Sequence, residues 1–296
     1  MEFIKAKNIL TRIKENEEWY GVNYNMNLYK GCSHGCIYCD SRSSCYHIEN
    51  FDTVRSKENV LTILEGELMR KKVKGVVGIG SMSDTYNPQE KKYKITRGAL
   101  KLLSKYNFGV AIDTKSDLIL RDIDILEEIN EKNNVIVKIT ITTPHDKLSK
   151  VIEPGVPVSS RRLEVVKELS DRGIFTGIML NPVLPFITDN VDDIKLLVRL
   201  AYQHGAKFIH TYMGMTLREN QRDYYYQKLD ENFIGFKEKY MTAYKDYYCC
   251  LIPNCKNVYK VFASECEKYG ILYKMSDIIK AYQVKNQKEQ ISLFDM

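Results

Sequence analysis

From residue 75 to residue 212 the chain alternates short β-branched runs with longer segments whose apolar residues recur every three to four positions. Near-continuous or alternating apolar runs bury as strands, and a 3.6-residue period buries one face of a helix. The alternation is therefore that of repeated βα units around a parallel sheet. The runs predict strands over Tyr24–Tyr29, Gly75–Ser81, Phe108–Thr114, Val135–Thr142, Ile174–Asn181 and Phe208–Tyr212. The segments between them predict helices near Val60–Lys71, Thr96–Tyr106, Leu118–Glu131, Ser160–Arg172 and Val191–His204, several opened by a capping residue such as Thr96, Ser160 or Asp189. Six such units suit an open barrel or a doubly wound sheet, and periodicity does not separate the two. In either one, ligands gather at the carboxyl ends of the strands.

Beyond the sixth unit the pattern changes. Glu219 to about Tyr248 reads as a polar, Tyr-rich helix, and Pro253–Tyr282 as a small helical extension. The last residues, from Gln283, are polar and expected to be mobile until a final apolar cluster. The expected organisation is an α/β main body over residues 1–245, a helical extension over 246–283 and a tail over 284–296. A length of 296 residues suits one sizeable core with such an extension.

No run of about 18 apolar residues occurs, and Met1–Lys14 has no continuous apolar stretch, so a soluble, unexported, cytoplasmic protein is expected. The net charge of +6, from 44 basic and 38 acidic residues, suits a polyanionic partner without requiring one. In a protein of this kind eight cysteines stay reduced, so clustered cysteines read as metal ligands before they read as disulfides.

One cluster stands out. Gly31-Cys32-Ser33-His34-Gly35-Cys36-Ile37-Tyr38-Cys39 follows the first predicted strand, so three thiols share one short loop at the ligand-binding edge. Iron–sulfur clusters are normally held by four thiolates; three leave one iron without a protein ligand, free to bind and activate another molecule. The competing reading is a zinc site, which needs four ligands. His34 is badly placed to complete a tetrahedron with its own neighbours, but a distant Cys249, Cys250 or Cys255 could supply the fourth.

The Cys-x3-Cys-x2-Cys spacing, with an aromatic residue before the last cysteine, resembles the radical S-adenosylmethionine (SAM) superfamily. The run Asn27–Cys39, then Ser83-Asp84-Thr85-Tyr86-Asn87-Pro88, Thr114-Lys115-Ser116-Asp117 and Glu153-Pro154-Gly155, is similar to the branch around spore photoproduct lyase, often labelled DNA repair photolyase-like. The resemblance spans roughly Ile9 to Tyr212. It implies a partial (β/α)6 TIM-like barrel with a small helical C-terminal extension, a [4Fe-4S] cluster on Cys32, Cys36 and Cys39, and SAM as the second cofactor. The implied activity is reductive cleavage of SAM to a 5′-deoxyadenosyl radical that acts on DNA or, alternatively, on a peptide or small molecule. The implied partner is a one-electron donor such as flavodoxin or ferredoxin. A zinc-stabilised binding module without catalysis is the alternative from another class.

Carried over residue by residue, the resemblance sets Tyr38 near the adenine, Lys115 and Thr142 towards the methionine and ribose parts of SAM, and Ser81, Ser83 and Asp84 towards its amino group. Their chemistry suits these roles: lysine offers a point charge for a carboxylate, and threonine a hydroxyl that can donate or accept. Arg161 and Arg162 open a helix and could reach a carboxylate or phosphate bidentately. Residues Gly177 to Asn181 offer backbone to the adenine by resemblance alone. One departure is informative. The lyase has a hydrogen-donating cysteine where Ser81 stands, and an alcohol O–H is much harder to break homolytically; Cys45, six residues beyond the loop, is the candidate substitute donor, its alternative reading being a small buried hydrophobe. Of the other cysteines, Cys249, Cys250, Cys255 and Cys266 read as packing residues. Finally, Gln290-Ile291-Ser292-Leu293-Phe294 resembles the short peptide that docks on the bacterial sliding clamp through the glutamine, leucine and phenylalanine.

Overall fold

A computed structural model describes residues 1–13 and 19–283. At its centre lie six parallel strands: β1 (Tyr24–Met26), β2 (Val76–Ile79), β3 (Gly109–Thr114), β4 (Val135–Thr140), β5 (Phe175–Leu180) and β6 (Phe208–Thr211). They stand side by side in chain order, and Leu10–Arg12 adds an antiparallel strand beyond β1. Helices α1 (Val60–Arg70), α2 (Ile95–Lys105), α3 (Ile123–Lys132), α4 (Ser159–Asp171) and α5 (Val191–Gln203) occupy the crossovers. A strand order that never doubles back winds in one direction, which makes a barrel; a doubly wound sheet would reverse at a switch point. The two edges do not pair, so this is the expected partial (β/α)6 barrel.

The strands have two buried faces. Along β3, Val110 and Ile112 pack outward with Leu126 and Leu103 beneath the helices, whereas Ala111 packs inward with Ile136, Met179 and Phe208. Both faces are apolar because both are covered, which explains the near-continuous runs in the sequence. Each fully buried Ile or Leu contributes about 1.5–3 kcal/mol, so this double layer supplies most of the cohesion. Tyr20, Ile278 and Tyr282 close the barrel interior, and Phe175 at the start of β5 lies 6.1 Å from Tyr282, ring to ring.

Several boundaries differ from the sequence pattern. The run Tyr24–Tyr29 divides, because Tyr29–Lys30 leaves the barrel to pair with Arg55–Lys57, which also pairs with Glu2–Ile4. That departure swings the cysteine loop over the barrel mouth. The stretch Leu118–Glu131 begins as a 3-10 turn over Asp117–Asp122, opened by Ser116, whose hydroxyl accepts from Leu118 N, before α3 starts at Ile123. Of the expected caps, Thr96 lies buried inside α2 and donates to Thr85 O at 2.7 Å. Ser160 is the second residue of α4, and α5 is capped by Asn190 rather than Asp189, its side chain accepting from the amides of Asp192 and Asp193.

The Tyr-rich stretch folds as two helices, α6 (Gln221–Asn232) and α7 (Phe236–Tyr244), broken at Gly235, which takes φ +81°. Pro253–Tyr282 likewise divides into α8 (Cys255–Tyr269) and α9 (Met275–Tyr282). The extension is tied to the barrel. Cys249–Leu251 pairs antiparallel with Gly214–Thr216, α8 packs on α5, and Leu272 bridges Phe208 at the edge of β6. Among the described residues no helix is long and apolar enough to cross a membrane. The clamp-like residues Gln290, Leu293 and Phe294 lie outside the described residues.

Candidate active site

The cysteine loop sits at the carboxyl ends of the strands over a cavity of about 500 Å³. Its path is fixed by backbone bonds to distant loops: Cys32 N donates to Phe51 O at 2.9 Å, Ile37 N to Ile152 O at 3.0 Å, and Gly155 N to His34 O at 2.8 Å. Gly31 turns the chain into the loop at φ +81°, where a Cβ would stand 2.6 Å from both Phe51 O and Thr53 O. Only glycine fits such a turn.

All three thiols line the cavity, and none forms a disulfide. Burial pushes the Cys32 thiol up to about 12, with Asp84 adding to the effect, and raises Cys36 and Cys39 as well. Lys115 opposes the rise at Cys36 and Cys39. Thiols so buried hold their protons until a metal displaces them. Among the described residues no three His, Cys, Asp or Glu side chains converge as a single metal ion requires. Three thiols on one cavity wall are the donor set that leaves one iron of a four-iron cluster without a protein ligand.

Around the thiols stands a charged frame. The Lys115 ammonium, just past the end of β3, lies 5.7 Å from the centroid of the Tyr38 ring. Burial works against its charge, but Cys36, Glu153 and Asp84 more than offset this and keep it protonated. Tyr38 donates its hydroxyl to Glu153, and Glu153 pairs with Arg162; both members of that ion pair are fully buried. Arg162 also donates to Thr140 O at 2.6 Å and to Ser149 Oγ at 2.7 Å. Asp84 accepts from Tyr86 N, from Thr114 Oγ1 at 2.6 Å and from Lys115 N at 2.8 Å, with His34 Nε2 at 3.5 Å. Those donors and the neighbouring positive charges outweigh burial and hold its carboxyl well below the usual range.

The expected site residues fall into two groups. Tyr38, Ser81, Ser83, Asp84 and Lys115 line the cavity with the cysteines. Within this group Ser83 donates to Gly31 O at 2.6 Å, and the Asp84 carboxylate faces protein donors, so both brace the cysteine loop and the strand ends. Thr142, Arg161 and Cys45 are not among the lining residues. Thr142 is buried behind the wall, its hydroxyl donating to Glu153 Oε1 at 3.3 Å. Arg161 points away to Asp117 and Glu168, and its neighbour Arg162 is the one turned inward. Cys45 is exposed, with Arg218 Nη1 donating to its sulfur at 2.9 Å. The C-terminal cysteines do not gather: Cys250 and Cys266 are buried, Cys255 is half-buried and Cys249 is exposed.

Two features escaped sequence reasoning. The Glu153–Arg162 pair joins residues on either side of a loop, and no spacing rule announces it. Lys138 is different. A lysine in the middle of the apolar run Val135–Thr140 is an anomaly that could have been noticed, and it proves to be buried inside the barrel.

Comparison with known proteins places this architecture. A model of the radical SAM superfamily matches residues 26–201. The chain belongs to the radical SAM superfamily. Relatives at 29% identity include the uncharacterized protein MJ0683 of Methanocaldococcus jannaschii, over 77% of this chain and 83% of that protein. Another is the uncharacterized protein Rv2578c of Mycobacterium tuberculosis, over 75% and 67% respectively. In fold the chain is similar to spore photoproduct lyase solved with AdoMet and dinucleoside spore photoproduct bound, at a TM-score of 0.65 and 13% identity over 90% of this chain and 80% of that one. A second lyase structure, complexed with dinucleoside spore photoproduct, gives the same score over 89% and 80%. The superfamily's cofactors, SAM and a [4Fe-4S] cluster, fit the residues present: three unpaired thiols on one cavity wall for the cluster, and a half-buried ammonium beside them for a carboxylate.

Proposed function

We propose that the protein is a radical SAM enzyme acting on DNA, with Cys32, Cys36 and Cys39 as cluster ligands. The observation that carries the enzymatic reading is the gathering of those three thiols, the Lys115 ammonium and the Tyr38 ring on one cavity at the carboxyl ends of the barrel strands. Cys32, Cys36 and Cys39 would hold the [4Fe-4S] cluster, which, reduced by an external one-electron donor, would supply reductive cleavage of SAM to a 5′-deoxyadenosyl radical and hydrogen abstraction from substrate. The protein's own share is orientation and exclusion of water. Lys115 holds the methionine carboxylate by charge. Tyr38, fixed through Glu153 and Arg162, packs against the cofactor. Ser83 and Asp84 hold the loop and strand ends at which the cofactor amino group is bound. Ser81 stands at the cavity wall as a neutral hydroxyl.

A DNA substrate is supported by the fold shared with spore photoproduct lyase and by the basic charge balance. Ser81 argues against the lyase's own hydrogen return, so repair or modification by a different hydrogen route is the reaction proposed. Anaerobic incubation with dithionite, SAM and either ultraviolet-damaged or undamaged DNA tests both parts. The expected result is 5′-deoxyadenosine, formed faster with one of the DNA samples. Iron-loaded protein that binds SAM yet never yields 5′-deoxyadenosine overturns the enzymatic reading. Product formation indifferent to DNA overturns the substrate.

A further inference from the structure

The wall of the cavity carries a carboxylate that the cofactor frame does not use. Asp113 lies two residues before Lys115 on β3, a step of about 6–7 Å into the barrel. It lines the same cavity, and its side chain is 25% exposed. Directly opposite in register is Lys138 on β4, whose ammonium is 2.9 Å from Asp113 Oδ2 and 4.2 Å from the centroid of the Tyr20 ring. Lys138 is 1% exposed. Burying an ammonium is costly, and an apolar pair of the same volume would close the barrel as well, so stability does not explain this pair. What the pair does is hold the Asp113 carboxyl in one orientation, Oδ2 against the Lys138 ammonium, with its second oxygen left without a donor among the described residues.

The surroundings restrict what that oxygen can meet. Trp19, half exposed, and Tyr212 line the cavity with Asp113, and Trp19 packs edge-on against His210 at 5.4 Å. Burial together with Lys138 holds the His210 ring down to about 4, so it is neutral near pH 7. A fixed carboxylate oxygen among aromatic faces accepts from an N–H on a flat, uncharged ring and repels phosphate. Nucleobases offer such an edge, and bases taken out of a stack are commonly read by one polar contact between aromatic side chains.

We infer that Asp113, oriented by Lys138, is a specificity residue that accepts a hydrogen bond from the ring or exocyclic N–H of a nucleobase entering the cavity. The assignment rests on the DNA reading proposed above. It gives Lys138 a positioning role and gives Asp113 direct contact with substrate.

The test is equilibrium binding of the anaerobically reconstituted protein to single-stranded oligo(dT) and oligo(dC). Each is compared with a counterpart that carries no base N–H, N3-methylthymine for the first and N4,N4-dimethylcytosine for the second. Wild-type protein should prefer at least one N–H oligomer by about tenfold, the usual worth of a hydrogen bond to a charged group. Asp113→Ser should bind that oligomer and its methylated form alike. Binding of all four oligomers without preference overturns the assignment and leaves the DNA reading standing. A preference that survives in Asp113→Ser also overturns it, because the methyl group is then refused by shape alone. No binding of any oligomer overturns the DNA reading and this assignment together. Absence of a preference in the wild type overturns the assignment even where the variant fails to fold; where a preference is present and Asp113→Ser does not fold, Asp113→Asn takes its place in the same comparison. Lys138→Met, which frees the carboxylate to turn, should shrink the preference without reversing it.

Discussion

Tyr38, the residue before the third cysteine, donates its hydroxyl to Glu153, 115 positions further along the chain. Glu153 in turn is held by Arg162 on α4, so a buried ion pair fixes the ring that faces the Lys115 ammonium. The cysteine loop is thus anchored to the crossover between β4 and β5 by a side-chain relay as well as by its backbone.

That relay gives the first prediction. Arg162→Met leaves the Glu153 carboxylate buried without its counter-charge and should lower the unfolding free energy by about 3–5 kcal/mol. Tyr38→Phe, which removes only a hydroxyl, should cost about 1–2 kcal/mol. Urea denaturation of the metal-free protein measures both. Equal losses for the two variants would show that the ion pair is not the anchor.

Cys36→Ala should leave two loop thiols and abolish the stable four-iron centre. Cys45 is turned towards Arg218 and is not a cavity residue, so it cannot substitute. Iron analysis and the visible absorption of anaerobically reconstituted protein check this. A retained centre of about four irons with SAM turnover would refute the ligand assignment.

For Lys115→Ala the cluster should form normally while SAM binding weakens by about 1.5–3 kcal/mol, roughly ten- to a hundredfold. Titration of the reconstituted protein with SAM reports the affinity, and the absorption spectrum reports the cluster. Unchanged affinity would leave Lys115 as a partner of Asp84, Glu153 and the thiols only.

Gly80 takes φ +108°, and a Cβ there would stand 2.4 Å from Asp113 O. Gly80→Ala therefore strains the backbone at the end of β2 and should cost about 1–3 kcal/mol. Thermal unfolding checks the loss. A variant as stable as wild type would mean that the two strand ends can move apart freely.

The pH dependence of stability has a definite sign at His210. Burial, with Lys138 adding to it, holds its folded-state value down to about 4, against an ordinary value near 6.5. Between those values the unfolded chain binds a proton that the folded protein refuses, so stability falls as pH drops from about 6.5 towards 4. For a largely buried ring, a gap of that size corresponds to roughly 1–3 kcal/mol. His210→Phe should flatten unfolding free energy measured across that window. An unchanged slope would assign the acid loss to other groups.

The sequence by itself determined the parts that depend on local pattern. All six strands and five crossover helices were legible, because burial on both faces of a strand, or on one face of a helix, is written in residues two to four positions apart. The cysteine loop was legible for the same reason: Cys32, Cys36 and Cys39 are neighbours in the chain, and so is the aromatic residue between the last two. Lys115 was set towards the cofactor by family resemblance, through the run Thr114-Lys115-Ser116-Asp117. Only the tertiary structure decided which of the remaining polar residues face inward. Arg161 and Arg162 are adjacent and chemically identical, yet one lies at the surface and the other is fully buried, because the rotation of α4 against β4 separates them by about 100°. Lys138 meets Asp113 through strand register, which pairs residues 25 positions apart and follows from the packing of the whole sheet. Helix breaks at Gly235 and after Tyr269 were settled in the same way, by the need of α6 to α9 to fold back on the barrel. Local periodicity fixes which elements form. Which side chains meet across them is set by register and rotation, and these exist only once the elements have packed.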